Sequence, residues 1–473
     1  MTEPVLAERL ANYAARTTFD LLPSDVVASV KLRVLDILGI CLAAAERGLA
    51  DGVCDLVAAE GGRPAATIVG RDFRASMAQA AFVNGTLAHS LDFDDTHLPS
   101  VLHPSASVIP AVLAVAEAQG SNGADAIAAA AVGIELTVRI GMGGYIEGKG
   151  NVFFERGWHA TSICGTLGVA AASAKLLGLD AEGIGHALGI AASFAGGLLE
   201  GNRVGGTVKR LHCGWAANGG ITAALLAARG FTGPRTVLEG RFGLFHAFLE
   251  GHFDAGSIIR DLGERWELPG IVFKPYPANH YTHAAIDAAL LLRRRDNFDP
   301  EAIRRIELGT SAAELRTIGE PREEKIRPRS GYHAQFSGPF IVATALLGGG
   351  GLGVHFADFT DEKVRDARLL RLTAMVETFV DEECDRAFPR TFPAVLRIHL
   401  ADGSVLEERV MHPRGTPQNP LPEADIRRKF ELNATGLLPG RAELLADSIR
   451  GLDGATSVVP LMELTSLPNK TFL

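Results

Sequence analysis

The sequence predicts a mainly α protein with an inserted α+β domain: a large helical bundle domain assembled from both ends of the chain, and a smaller α+β domain between them. Three observations predict it. Helical periodicity runs through the first half and returns near the C-terminus. Alternating, strand-like patterns are confined to the stretch between. The length, 473 residues, exceeds what one simple core ordinarily serves. The texture changes place a helical domain over 1–268 and 411–473 and an α+β domain over 269–410, a size ordinary for a domain.

Taking the elements in order, apolar residues at Val27, Val30, Val34, Leu38, Cys41 and Leu42 line one face of a helix over 24–45, and Pro23 and Ser24 mark its start. Helices follow over 73–91, 105–119, 124–140, 159–177, 181–199 and 215–228. Many of their facing positions are Ala, Gly or Ser, so the axes can approach closely and the bundle is tight. The glycine-rich joints "GMGGYIEGKGN", "GNRVGGTVKR" and "EGRFG" fall where loops belong. Strands are expected in 302–310, 373–381 and 394–410, the last folded into a hairpin at Asp402-Gly403. Helices over 281–295, 336–348 and 361–372 lie between them, and 423–438 and 441–452 are helical again. "LLGGGGLG" follows a helical pattern rather than a strand, so it is not a dinucleotide loop. No internal repeat is present.

Hydrophobic residues make up 47% of the chain, enough for a large core and too many for long disorder. The net charge of -9 argues against nucleic acid or an anionic membrane as a partner. It also requires that any cations binding an anionic substrate be concentrated locally. Cys41, Cys54, Cys164, Cys213 and Cys384 show no C-x-x-C spacing, and their apolar contexts suit buried thiols in a reducing compartment. The N-terminus has acids early and no apolar h-region, and the run "AIAAAAVGIELTV" is short and broken by Glu135. The expectation is a soluble cytoplasmic protein.

Four stretches concentrate chemistry. In "NGTLAHSLDFDDTHLPSVLHPS" a helix over 84–92 would align Gly85, Ala88, His89 and Asp92 on one face. That puts an acid at the end whose dipole disfavours it. Asp94, Asp95, Thr96, His97 and His103 follow; a polar turn explains them as well as a site does. In "FFERGWHATSICG", His159 opens an apolar helix. Its N-terminal field binds carboxylates and favours a neutral imidazole, although a capping role is equally ordinary. "GGTVKRLHCGWAANGG" sets Lys209 and Arg210 at the mouth of another helix. "VFKPYPANHYTH" sets Lys274 and His280 at the domain junction. Each lysine alone reads as a solvated charge; together with the histidines they supply the local positive field that a di- or tricarboxylate needs.

These residues suit proton transfer beside a carboxylate: a base takes an α-proton, cations hold the developing charge and an acid assists departure of the leaving group. No G-x-S-x-G elbow lies in a strand–turn–helix context. A metal-dependent hydrolase using Asp92, Asp94, His97 and His103 is the reading from another class; neighbouring lysines would repel its cation. A helical scaffold without catalysis is a third.

Taken in order, "NGTLAHSLDFDDTH…HPS", "GWHATSICGTLG", "GGTVKRLHCGWAANGG", "KPYPANHYTHAAIDA" and "YHAQFSGPF" resemble the MmgE/PrpD family, which includes 2-methylcitrate dehydratase, cis-aconitate decarboxylase and iminodisuccinate epimerase. The resemblance runs through nearly the whole chain. It implies a helical domain with an α+β lid domain, a homodimer, a small polycarboxylate substrate, a cleft between the domains as active site, and no metal or organic cofactor. It also implies catalytic roles for Asp92, His103, His159 and Lys209, and substrate binding by Thr96 and Lys274; Arg210 and His280, from the same stretches, are further candidates for substrate binding. Water elimination from a substrate such as 2-methylcitrate is the first reading, with epimerisation or decarboxylation of a related acid as alternatives. One departure is Phe340, where many members have Tyr in F-S-x-x-Y; Tyr145 is the candidate replacement for the missing phenol.

Overall fold

The computed structural model describes residues 5–147, 150–201, 206–296 and 298–467. The chain is mostly helical, with a small sheet in its C-terminal part. It divides into two compact units: residues 1–90, 94–271 and 426–473 in the first, 91–93 and 272–425 in the second.

The first unit is a helical bundle. Its main helices are α1 (Leu6–Arg16), α2 (Ser24–Glu46), α3 (Met77–His89), α4 (Ser105–Gln119), α5 (Gly123–Gly143), α6 (Ala160–Leu176), α7 (Ala181–Ala191) and α8 (Val208–Ala227). α8 packs on α3 and α6, and α6 on α5. The small residues that pattern along these helices are what allow it. A Cβ on Gly85 of α3 would meet the Cα of Gly214 in α8 at 2.8 Å, and one on Gly133 of α5 would meet Ala172 of α6 at 2.9 Å, closer than side chains tolerate.

Several element ends differ from expectation. α3 stops at His89 rather than 91, because the chain turns left-handed at Asp92, φ 50°, a conformation no helix continues through. The four-residue face ending in Asp92 therefore does not form. α7 ends at Ala191, where "SFAGG" leads to Gly197 at φ 136°. α8 starts at Val208, seven residues earlier than its apolar pattern, so Lys209 and His212 lie within its first turns. "GMG" closes α5 instead of forming a loop. Residues 148–149 and 202–205, within two of the glycine-rich joints, lie outside the described residues.

The second unit holds a four-stranded sheet: β1 (Ile303–Thr310), β2 (Val376–Val380), β3 (Ala394–Leu400) and β4 (Val405–Val410), in the order β2-β1-β3-β4. β1 and β2 are parallel, and β1 and β3 antiparallel. β3 and β4 form the hairpin expected at Asp402-Gly403, with Ala394 opposite Val410 and Gly403 at φ 87°. α9 (His283–Arg293) and α10 (Gly338–Leu347) pack on each other, α9 also on β3 and β4. Their shared core includes Tyr276, Ile286, Phe340 and Leu396. The unit ends at 425 rather than 410. The coil after β4 is tied to this core: the Arg414 backbone N–H donates to Asp287 Oδ2 over 2.7 Å and its guanidinium to the Tyr276 hydroxyl over 3.2 Å.

Candidate active site

The first unit gathers four imidazoles. His89 closes α3, His103 precedes α4, His159 is the N-cap of α6, and His212 lies in the first turns of α8. The His159 ring stacks on His89 at 5.5 Å and lies 6.4 Å from His103, while His89 is 5.4 Å from His103. His159 and His212 are 4.9 Å apart, with Nδ1 facing Nδ1 at 2.8 Å.

His103 is oriented by the loop that precedes it. Its Nδ1 lies 2.6 Å from the Asp95 backbone carbonyl oxygen. A carbonyl only accepts, so Nδ1 carries the proton and Nε2 is the basic nitrogen of the neutral ring. Thr96 Oγ1 lies 3.2 Å from the same Nδ1, and the His103 backbone N–H donates to Thr161 Oγ1 of α6 over 3.1 Å. Beneath this loop the Asp95 carboxylate is fully buried. It accepts from Arg33 Nη1 at 2.6 Å and from both the hydroxyl and the backbone N–H of Ser105. Burial pushes Asp95 upward, and the Arg33 charge and the Ser105 hydrogen bonds oppose it. Arg33 Nη2 also donates to the carbonyls of Leu268 and Ile271.

His89 donates from Nδ1 to Asp94 Oδ2 over 2.8 Å, with both side chains wholly buried. Its Nε2 has no hydrogen-bond partner among the described residues. His159 is held well below the ordinary imidazole range, chiefly by burial and then by the charges of His89, His212, Lys209 and His103. The lowering has the direction expected at a helix N-terminus, but burial is its leading cause. His212 is lowered to about 4 by burial, His89 and Lys209. Lys209 itself is buried. Arg210, one residue on, is rotated about 100° around α8 from it and is half-buried.

In the second unit, Asp92 and Lys274 form a buried ion pair, Nζ to Oδ1 2.6 Å, and Nζ also donates to the Asp92 carbonyl at 3.2 Å. His280 of the same unit is buried against His283 and Phe392, with ring centroids 4.6 and 5.4 Å away. Phe340 is fully buried in that unit's core, 6.4 Å from the Phe359 ring; there a benzyl group needs no hydrogen-bond partner, whereas a phenol would. Tyr145, in the first unit, sits half-buried in a two-residue ribbon opposite Asn151.

Members of the metal-hydrolase donor set have other partners. His97 Nδ1 pairs with Ser100 Oγ at 2.6 Å and its Nε2 lies 3.9 Å from Glu267, while Asp92 is engaged by Lys274. A different trio, His89, Asp94 and Cys213, brings potential ligand atoms within 4.8 Å of one another. It lies where the charge of Lys209 already depresses neighbouring imidazoles, a field that disfavours a cation.

His89 and His212 had no role in the sequence reading, and Asp94 had one only as a metal ligand in the hydrolase alternative. The i, i+3 spacing of Lys209 and His212 was the available signal for His212, once α8 is extended to Val208.

The MmgE/PrpD N-terminal domain model matches residues 8–255 and the MmgE/PrpD C-terminal domain model residues 276–452. The chain is 29% identical over 483 residues to cis-aconitate decarboxylase of Aspergillus terreus, covering 98% of this chain and 97% of that one. It is 32% identical over 380 residues to the Homo sapiens cis-aconitate decarboxylase, covering 78% and 74%. It is 25% identical over 402 residues to 2-methylcitrate dehydratase of Salmonella typhimurium, covering 80% and 79%. Both halves of the family pattern are present in one chain, in order and at nearly full length, and the chain belongs to the MmgE/PrpD family of enzymes.

Proposed function

We propose that this enzyme is a lyase acting on a small tricarboxylate of the cis-aconitate type, by decarboxylation. The observation that carries the reading is the clustering of His103 and His159 with the charge of Lys209 felt at His159. Such a set can move a proton at carbon while a cation holds a carboxylate. Loss of CO₂ leaves an electron pair on carbon, conjugated with the adjoining alkene and carboxylate. A positioned donor must then protonate it, a contribution of roughly 10²–10⁴-fold in rate for each group. In this reading Lys209 and Lys274 bind carboxylate, Asp92 and Thr96 orient, and Arg210, His280 and Tyr145 line the substrate. A homodimer, on the family resemblance, and a cytoplasmic location, on the apolar contexts of the five cysteines, complete it.

Water elimination, first in the sequence reading, is the second reading here. The 2-methylcitrate dehydratases support it at 25–26% identity over about 80% of the chain. The Aspergillus terreus decarboxylase covers more of the chain at higher identity, and the Homo sapiens decarboxylase is similar at higher identity over a comparable share, which favours decarboxylation. Purified enzyme should release CO₂ from cis-aconitate, and His103→Ala should lower kcat by roughly 10²-fold or more. Turnover of 2-methylcitrate with none of cis-aconitate transfers the assignment to the dehydratase. A His103→Ala variant with full turnover removes the acid–base role.

A further inference from the structure

The contact between His159 Nδ1 and His212 Nδ1, 2.8 Å, constrains the protons of both rings. Two lone pairs cannot face each other at that distance, and neither can two N–H groups, so one proton lies between the nitrogens. The neutral pair has two arrangements. Either His212 Nδ1–H donates and His159 carries its single proton on Nε2, or His159 Nδ1–H donates and the single proton on His212 is on Nε2. Moving the bridging proton together with proton transfer at Nε2 of each ring, off His159 and onto His212, switches His159 from acid to base without leaving a charge on either ring. Geometry fixes the partners. His159 caps α6, and Ser162 of the first turn of α6 donates from Oγ to the His212 carbonyl over 3.2 Å. Both rings are buried.

We propose that His212 is a positioning and relay residue, supplying His159 with its proton through the Nδ1–Nδ1 bridge so that the site protonates carbon without forming an imidazolium. The inference rests on the lyase reading for the direction of transfer. In a decarboxylation, the bond from carbon to the departing carboxylate breaks, CO₂ leaves, and its electron pair remains on carbon. His159 Nε2–H gives its proton to that carbon. The His212 Nδ1 proton moves to His159 Nδ1, and His212 Nε2 takes a proton from solvent. Both rings begin and end neutral, with tautomers exchanged. The surroundings make the neutral route the favoured one: burial, Lys209 and His89 oppose a further charge on either ring.

Two measurements test this. In protein labelled with ¹⁵N-histidine, without substrate, the wild type at pH 7 should show two neutral rings of opposite tautomer joined by one bridging proton, and His212→Asn should abolish that signal. An imidazolium on either ring, or two rings of the same tautomer, overturns the relay. With cis-aconitate as probe, His212→Asn, which keeps a polar group near the Nδ1 position but cannot pass a proton, should lower kcat about 100-fold with KM within threefold. The wild-type dependence of kcat on deuterium fraction should be bowed, from two protons in flight, and linear in the variant. Unchanged kcat in a folded His212→Asn protein overturns it. If cis-aconitate is not turned over at all, the lyase reading fails, and the NMR result still decides the bridge.

Discussion

His103 gives its Nδ1 proton to the backbone carbonyl oxygen of Asp95 across 2.6 Å, so the imidazole placed at the centre of the proposed chemistry is held by main chain. The Asp95 side chain acts one layer below, fixing the loop to Arg33 and to the start of α4 through Ser105. Orientation of His103 therefore depends on a buried ion pair that does not itself bond the ring.

Arg33→Ala should accordingly cost both stability and turnover. It strands the Asp95 carboxylate in a site 1% exposed, a loss of about 3–5 kcal/mol for a broken buried pair. Arg33→Lys restores the charge but not the fork that reaches Leu268 and Ile271, and should recover only part. Denaturant unfolding reads the first effect and kcat the second. A loss below about 1 kcal/mol for Arg33→Ala would mean that Asp95 is neutral and the anchor is a simple hydrogen bond.

The imidazole cluster predicts acid sensitivity. His212 has a folded-state value of about 4, and His159 is also lowered, against about 6.5 in an unfolded chain. Between those values the unfolded state binds protons that the folded state refuses. This contribution is full above about pH 6.5 and is lost as pH falls toward 4, a change on the order of a few kcal/mol. Burial lifts Asp36 to about 6 and Glu314 to about 7, which acts in the opposite sense, so the wild type must be compared with His212→Asn. Urea midpoints from pH 7 to 4 should fall more steeply for the wild type; parallel curves would refute the assignment.

How much of this was readable from sequence follows from what periodicity reports. α4 was placed to the residue, Ser105–Gln119, because Pro104 and Gly120 punctuate a continuous apolar run. The β3–β4 hairpin was placed by alternation and Asp402-Gly403. His103, His159 and Lys209 were legible as residue types in motifs, and the structure brings them into one unit. Asp92 was misread as the end of a helix face, since a left-handed turn at a single Asp leaves no periodic trace. His212 escaped because charged residues at the start of α8 hide the helix from an apolar count. The His89–Asp94 pair escaped because its partners meet only after the chain has turned. Arg33, 62 residues from Asp95, could not be assigned a partner by spacing at all.

The close approach of α3 and α8 links packing to the site. A Cβ on Gly214 would lie 2.9 Å from the Thr86 backbone nitrogen and closer still to the Phe82 carbonyl oxygen. Gly214→Ala must push the helices apart, costing about 1–3 kcal/mol. Because α3 carries His89 and α8 carries Lys209 and His212, the same shift should lower kcat in the protein that remains folded. Trp215, also on α8 and 52% exposed, meets α3 only through an edge-on contact with the Phe82 ring, centroids 5.9 Å apart, and provides the milder comparison: Trp215→Ala should cost less stability than Gly214→Ala and leave kcat nearly unchanged. Equal behaviour of the two variants would dissociate the helix contact from the chemistry.

Within the second unit, Lys274 and Asp92 are 1% and 4% exposed and paired at 2.6 Å, and the Lys274 ammonium also caps the carbonyl of a residue held at φ 50°. Lys274→Ala should therefore destabilise by about 3–5 kcal/mol, most of it the cost of leaving Asp92 charged and unpaired. Adding Asp92→Asn should return much of that loss, because the stranded charge is gone, while restoring none of the turnover if both residues serve substrate as proposed. A double-mutant cycle on unfolding free energy, run beside kcat/KM with cis-aconitate, separates the two roles. Additive losses in stability would show that the pair contributes no coupling. Recovery of turnover in the double variant would confine Lys274 and Asp92 to holding the fold.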